Sequence, residues 1–198
     1  MQHEDLKRFR TWFKDYCLTF YSSNEADNRN IRLKEEHTFR VCLNMDELSE
    51  SICLDAKRRL LASVVALFHD LGRFPQYAKY KTFRDSVSVN HGLLGAQTLI
   101  ENKTLQNMPE EEQAMVLDVI RFHNAYTLAH VDNPDVLLLL KLVRDADKLD
   151  IWEVFTCYYG MPHFERPTAV ALGLRDIPDT LMRYWTALQK RGLPGSST

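Results

Sequence analysis

The chain has 198 residues, of which 45% are hydrophobic, so it suits one domain of ordinary size and is not expected to be disordered. Its net charge of -2 argues against a general attraction to a nucleic acid duplex or to an anionic membrane surface. Three features predict a cytoplasmic protein. The N-terminus is polar, the apolar runs are too short for a membrane span, and the four cysteines contain no Cys-x-x-Cys pair.

Hydrophobic residues recur every three or four positions in the first part of the chain and predict three helices. The first helix covers residues 6–20, and a polar loop follows over residues 22–28. The second helix is expected at residues 31–48. The third, at residues 54–68, has the strongest apolar face and stops at residues 69–72, where Gly72 suits the end of a helix.

The second half of the chain continues the helical pattern after an interruption. Residues 73–88 combine a proline with three aromatic residues and are interpreted as an ordered loop with short helical turns. Further helices are predicted at residues 90–101, 109–123 and 134–149, the last two starting at proline. A loop is then expected near residues 158–166.

The C-terminal part is expected to hold a final helix over residues 176–192 and a frayed tail. Since no segment alternates at period two over the length of a strand, the fold class is all-α. We predict a single domain over residues 1–198, a helical bundle with an N-terminal helix and a C-terminal helical extension at residues 156–198.

Polar residues occupy positions that packing alone does not explain. His37 lies in the middle of a helix, and His69 and Asp70 end the most apolar helix of the chain. A buried carboxylate needs a partner, and a divalent cation is one such partner. Asp147 lies four residues after apolar Val143 and should face the core. The alternatives are a solvated Asp70 at a helix end and a solvated acidic helix end at Asp147.

The order of these residues resembles the HD superfamily of metal-dependent phosphohydrolases. His37 precedes the pair His69-Asp70, and Asp147 follows in the setting Ala-Asp-Lys-Leu. The stretch Phe-His-Asp-Leu-Gly-Arg at residues 68–73 is similar to the H-D-x-G-[KR] core of that family. The resemblance extends from His37 to about Glu153 and implies an HD-domain helical bundle with its core at about residues 30–155.

Two more histidines lie between the His-Asp pair and Asp147. His91 and His123 complete the order H, HD, H, H, D, which is similar to the members of the family that bind two metal ions. Taken singly, each of them is more often a helix-end histidine that binds nothing. Considered together with the other four candidate ligands, both histidines are interpreted as metal ligands.

The resemblance implies one or two divalent ions, and Mn²⁺, Fe²⁺, Co²⁺, Ni²⁺, Zn²⁺ and Mg²⁺ are the candidates. His37, His69 and Asp147 would bind one ion, and His91 and His123 the other. Asp70, the central catalytic residue, would contact both ions. In this interpretation a metal-bound hydroxide attacks phosphorus.

Two basic residues follow metal-ligand candidates in sequence. Arg73 is predicted to act in catalysis and to bind the phosphate through its guanidinium fork. Lys148, next to Asp147, is a second predicted phosphate-binding residue, with a solvated lysine as the alternative. Asp145 and Asp150 are expected to be solvated or to contact the ligands without binding metal.

The leading hypothesis is a phosphohydrolase that cleaves a phosphoester of a nucleotide or of another small phosphorylated metabolite. The sequence after His123 has no Gly-Tyr-Pro motif, which argues against the cyclic di-GMP phosphodiesterases of this family. A di-iron oxygenase acting on a polyol or phosphonate, and a non-catalytic nucleotide-binding regulator, are the alternatives. We expect a small phosphorylated molecule as the partner, with neither duplex nucleic acid nor membrane.

Overall fold

The computed structural model describes residues 2–127 and 131–160, with the backbone alone for residues 152–160. No strand occurs within these residues, which confirms the predicted all-α class. The predicted helix at 176–192 and most of the C-terminal extension lie outside the described residues, as do His130 and His163. The helices are α1 (His3–Leu18), α2 (Glu25–Ser51), α3 (Ala56–Phe68), α4 (Arg73–Tyr80), α5 (His91–Glu101), α6 (Glu110–Phe122) and α7 (Pro134–Gly160), and a 3-10 turn covers Asp85–Val87.

Helix α3 is the centre of the bundle. Every residue from Leu61 to Phe68 is buried, and α3 contacts α1, α2, α6 and α7. A helix that is apolar all round is stable only when neighbours cover all of its faces. The C-terminal end of α3 therefore delivers the next residues, His69 and Asp70, into the interior of the protein.

The other helices enclose this end of α3. Helix α2 packs on α7, α5 packs on α6, and α4 contacts both α2 and α5. Helix α1 makes aromatic contacts with α3 and α4, with the Phe9 and Phe68 ring centroids 5.6 Å apart and those of Phe13 and Phe74 5.8 Å apart. None of the helices in the described part of the chain combines the length and apolar character needed to cross a bilayer.

Two helix boundaries differ from the sequence-based prediction. Helix α2 begins at Glu25, so the second part of the predicted loop at 22–28 is helical from residue 25 onwards. The cause is Asn24, whose side-chain oxygen accepts hydrogen bonds from the amides of Ala26 and Asp27 and so caps the helix. Helix α7 continues to Gly160, past the predicted end at residue 149 and into the predicted loop at residues 158–166.

The segment after Gly72 is also more regular than predicted. Residues 73–80 form helix α4, which ends where Lys81 adopts a left-handed conformation with φ of 54°. Gly72 itself has φ of -65°, so it is not the left-handed helix stop that its position suggested. A Cβ atom there would lie 2.6 Å from the Gly95 amide nitrogen and closer still to the His91 carbonyl oxygen. Gly72 thus allows the turn after α3 to touch α5.

Candidate metal centre

Six side chains predicted to bind metal meet at the end of α3. They come from the middle of α2, the turn after α3, the first residue of α5, the residue after α6 and the middle of α7. Five of them are buried and the sixth is partly exposed. The six residues are His37, His69, Asp70, His91, His123 and Asp147.

Asp70 lies between two pairs of histidines. Its Oδ2 is 3.4 Å from His37 Nε2 and 3.9 Å from His69 Nε2. Its Oδ1 is 3.2 Å from His91 Nε2 and 3.8 Å from His123 Nε2. Asp70 and the first pair are called the first group below, and Asp70 and the second pair the second group. Within each group the candidate ligand atoms lie within 4.8 Å of one another, close enough to hold a metal ion.

Asp147 adds a second carboxylate to the first group. Its Oδ1 lies 3.2 Å from His37 Nε2 and 3.8 Å from His69 Nε2. Its side chain is 25% exposed, whereas the side chain of Asp70 is 4% exposed, so Asp147 lies on the solvent side of the group. The first group therefore offers two imidazoles and two carboxylates.

Two of the four imidazoles are oriented by the helix that precedes them. His69 Nδ1 lies 2.8 Å from the Ala66 carbonyl oxygen, and His123 Nδ1 lies 2.8 Å from the Ile120 carbonyl oxygen. Carbonyls at a helix end lack partners in the helix and can only accept, so each Nδ1 carries the proton and donates it. The Nε2 atom of each ring then points towards Asp70.

Carboxylates orient the other two imidazoles. His37 Nδ1 donates to Asp150 Oδ2 at 2.5 Å, and Asp150 also accepts a 2.5 Å hydrogen bond from Arg40 Nε. His91 Nδ1 donates to Asp85 Oδ2 at 2.8 Å. Each group thus has one histidine held by a carbonyl and one held by a carboxylate. Hydrogen bonds of this kind orient the histidine ligands of metal sites and increase their basicity.

A short network anchors Asp85 in turn. Gln76 Nε2 donates to Asp85 Oδ1 and Asn124 Nδ2 donates to Asp85 Oδ2, both at 2.9 Å. Burial would raise the pKa of Asp85, but the hydrogen bond and electrostatic interaction with His91, the hydrogen bond from Gln76 and the charge of Arg73 hold the pKa below its usual range. The carboxylate is therefore ionised and fixes the ring of His91.

Charges inside the first group compensate one another. Burial would raise the pKa of Asp70, but Lys34, His69 and Arg73 hold it well below its usual range. Burial lowers the pKa of His69 to about 4, so that imidazole is neutral. Burial and Lys34 lower the pKa of His37, but hydrogen bonds with three carboxylates outweigh both and raise it to about 9. A divalent ion next to His37 would displace the proton on Nε2, which faces Asp70 and Asp147, while the Nδ1 proton donated to Asp150 would stay.

Arg73 and Lys148 lie in different surroundings. Arg73 Nε is 3.4 Å from Asp70 Oδ1, and Nη1 donates to Gln76, to Asp85 and to the Phe83 carbonyl. Arg73 therefore joins Asp70 to the segment that carries Asp85. Lys148 is 62% exposed and its ammonium lies 3.7 Å from an Asp145 carboxylate oxygen. The described contacts do not bring Lys148 to the two groups, and its phosphate-binding role remains a prediction.

The sequence analysis missed two residues of the site and left a third undecided. Lys34 Nζ lies 2.7 Å from Asp70 Oδ2, and its only signal in sequence is its position three residues before His37, on the same helix face. Asp85 has no such signal, since it lies in a 3-10 turn. Asp150 was expected to be solvated or to contact a ligand, and it is fully buried against His37.

A known family model matches more than half of the chain. The HD domain family model matches residues 35–152. A crystal structure of a predicted HD superfamily hydrolase from an uncultured Thermotogales bacterium is similar, with 24% sequence identity over 96% of this chain and 92% of that chain and a TM-score of 0.47. A search of curated proteins finds no match.

Proposed function

The chain belongs to the HD domain family, and on that premise we propose that it is a metal-dependent phosphohydrolase that cleaves a phosphoester of a nucleotide or another small phosphorylated metabolite. The observation that carries the proposal is the orientation of the four buried histidines. Each has its Nδ1 engaged by a carbonyl or a carboxylate and its Nε2 directed at Asp70. Histidines that only stabilise the fold would not require this shared orientation.

The donor set fits divalent transition metals. Imidazole nitrogens mixed with carboxylate oxygens suit Mn²⁺, Fe²⁺, Co²⁺, Ni²⁺ and Zn²⁺, whereas Mg²⁺ prefers oxygen ligands alone. The first group has four candidate ligands and the second has three, with Asp70 in both. Held there, such an ion would lower the pKa of a coordinated water and would neutralise charge on a phosphoryl oxygen.

The surrounding residues orient the candidate ligands and limit their exposure to solvent. Asp70 and the four histidines are buried, so bulk water reaches the groups mainly from the side of Asp147. Low exposure strengthens the electrostatic interactions of the site with an anionic substrate. Lys34 and Arg73 add two positive charges next to Asp70. Together these features favour a small phosphorylated substrate.

Metal analysis and a substrate panel test this proposal. Protein purified without chelator should contain a divalent ion and should hydrolyse at least one phosphoester when Mn²⁺, Co²⁺, Ni²⁺, Mg²⁺ or Fe²⁺ is added. The variant Asp70→Ala should lose both metal and turnover, because Asp70 takes part in both groups, while its circular dichroism stays helical. Lys57→Gln, at the other end of α3, removes a charge without reaching the groups and serves as the control.

Other results would favour the alternatives. A bound iron pair with O₂ uptake and no phosphoester hydrolysis would contradict the proposal in favour of an oxygenase. Tight nucleotide binding without turnover under any metal would favour a regulator. Activity that persists in metal-free Asp70→Ala would remove the two groups from the reaction altogether.

A further inference from the structure

Lys34 is the cation in closest contact with the shared carboxylate of the two groups. We propose that Lys34 binds the anionic oxygens of the substrate, being held on Asp70 when no metal ion is bound and released from it when an ion is. The inference rests on the proposed function, since it names the residue that recognises the phosphoryl group. It begins from two contacts of Lys34 within the site, one with Asp70 and one with Phe83.

Lys34 is positioned by α2 and by the segment after α4. Its ammonium lies 2.7 Å from Asp70 Oδ2, and its side chain is 16% exposed. The ammonium also lies 5.4 Å from the centroid of the Phe83 ring, on the face of the ring. One turn further along α2, His37 points at the same oxygen of Asp70. Lys34 is thus at the edge of the first group.

The oxygen that Lys34 contacts is one that the first group needs. Asp70 Oδ1 faces the second pair of histidines, so Oδ2 is the oxygen left for an ion next to His37 and His69. Two cations that share one carboxylate oxygen repel each other strongly in a partly buried site. An ion bound by the first group would therefore displace the ammonium of Lys34 from Oδ2.

The displaced ammonium needs a new acceptor. A charged group that is mostly removed from water is costly unless it is paired, and the face of Phe83 compensates only part of that cost. The side chain starts beside the first group, so its ammonium can stay at the margin where an anionic ligand would enter. A phosphoryl oxygen is an acceptor of the required charge.

Other cations near the site already have partners. Nη1 of Arg73 donates to Asp85, Gln76 and the Phe83 carbonyl, contacts that lie away from Asp70 Oδ2. Arg40 is held by Asp150 behind the ring of His37. Of Lys34, Arg73 and Arg40, only Lys34 contacts the Asp70 oxygen that an ion in the first group would bind. Lys34 is therefore the cation that metal binding would release.

Binding measurements on Lys34→Gln test the inference without relying on turnover. The first is the affinity of the metal-free protein for Mn²⁺, measured by calorimetry, which should rise severalfold because the competing ammonium is gone. The second is the affinity of the Mn²⁺-loaded protein for inorganic phosphate, which should fall by about tenfold or more with the loss of a charge-assisted hydrogen bond. Lys34→Arg should restore part of the phosphate affinity. Lys57→Gln, whose ammonium contacts Glu112 about 18 Å along α3 from His69, is the matched control.

The outcomes separate this inference from the proposed function. Unchanged phosphate affinity in Mn²⁺-loaded Lys34→Gln would overturn the inference, even if the wild-type protein hydrolyses a phosphoester. Unchanged Mn²⁺ affinity would also overturn it, because the ammonium would then not compete for Asp70. Weakened phosphate binding together with tighter Mn²⁺ binding would support the inference, even if no phosphoester is hydrolysed and the proposed function fails.

Discussion

At the scale of single residues, the geometry of the site depends on the hydrogen bond that each histidine makes through Nδ1. The partner of that hydrogen bond lies outside the two groups and fixes the orientation of the ring. A ring whose Nδ1 is held can present only Nε2 to Asp70, so no reorientation of the ring is needed when an ion binds. His69 and His123 obtain this constraint from their own helices. His37 and His91 depend on carboxylates supplied by other segments, which makes those carboxylates targets for a selective test.

Asp85→Asn should weaken the second group and spare the first. An amide keeps the shape of the carboxylate, but its uncharged oxygen holds His91 less well, and loss of such a contact typically costs about 10–100-fold in metal affinity. At a free Mn²⁺ concentration just sufficient to fill both groups of the wild type, the number of ions bound per chain should fall from two towards one. Asp150→Asn should have the same effect on the first group, and Asp118→Asn, on the exposed side of α6, should change neither. Equal affinities in Asp85→Asn and wild type would show that Asp85 does not position His91.

The six predicted ligands were accessible from sequence because their types, their order and the helices that carry them form a known pattern. Lys34 and Asp85 were not, because their roles depend on contacts outside that pattern. Lys34 meets Asp70 across 36 positions of sequence, and Asp150 meets His37 across 113. Local periodicity indicates which face of a helix is buried, but it does not indicate which side chain of another helix lies opposite.

At the scale of helices, two close approaches of the backbone set the spacing of the second group. Gly72 allows the turn after α3 to touch α5, and Gly92 allows the start of α5 to touch the end of α6. A Cβ atom on Gly92 would lie 2.7 Å from the Ile120 carbonyl oxygen and 2.9 Å from the Arg121 carbonyl oxygen. These contacts bring His91 Nε2 within 3.0 Å of His123 Nε2.

Gly92→Ala should therefore destabilise the protein although alanine favours helix. The added methyl group forces α5 and α6 apart, which typically costs about 1–3 kcal/mol and exceeds the helix preference of alanine. Urea unfolding should show the lower stability, and the Mn²⁺ titration should show a weaker second group. Gln97→Ala, on the exposed face of α5, should change stability by less than about 0.5 kcal/mol. A Gly92→Ala protein as stable as wild type would mean that the two helices can separate at no cost.

The presence of a helix was easier to predict than the residues at which it begins and ends. The helices with a continuous apolar face, such as α3, agree with the predicted ranges closely. The start of α2 was missed because Glu25, Ala26 and Asp27 have no apolar stripe and depend on the cap at Asn24. Helix α4 was missed because its eight residues are too few for periodicity to be clear, although Phe74 and Tyr77 are buried.

At the scale of the whole molecule, the site exists only when distant parts of the chain have folded together. Its six residues lie between His37 and Asp147 and come from α2, α5, α6, α7 and the turn after α3. An unfolded chain cannot bring these groups together. Any ion that binds them therefore binds the folded protein in preference to the unfolded one.

Divalent ions should raise the unfolding temperature, and chelator should reverse the effect. Free ion at 100 times its dissociation constant stabilises a folded protein by about 2.7 kcal/mol, which for a chain of this length corresponds to roughly 5–10 °C. Differential scanning calorimetry with Mn²⁺ and then with EDTA measures this shift. Asp70→Ala should show no shift. A shift of the same size in that variant would place the stabilising ion somewhere other than the two groups.

Asp70 would also link the two groups thermodynamically if each of them bound an ion. Its Oδ2 faces one pair of histidines and its Oδ1 faces the other, so an ion held next to one pair would alter the carboxylate that the other pair shares. If binding of one ion changes the affinity for the other by a given factor, binding of the other must change the affinity for the first by the same factor. A titration of this protein with metal should therefore deviate from the isotherm for two independent sites, and replacing Asp70 should abolish both the binding and the cooperativity.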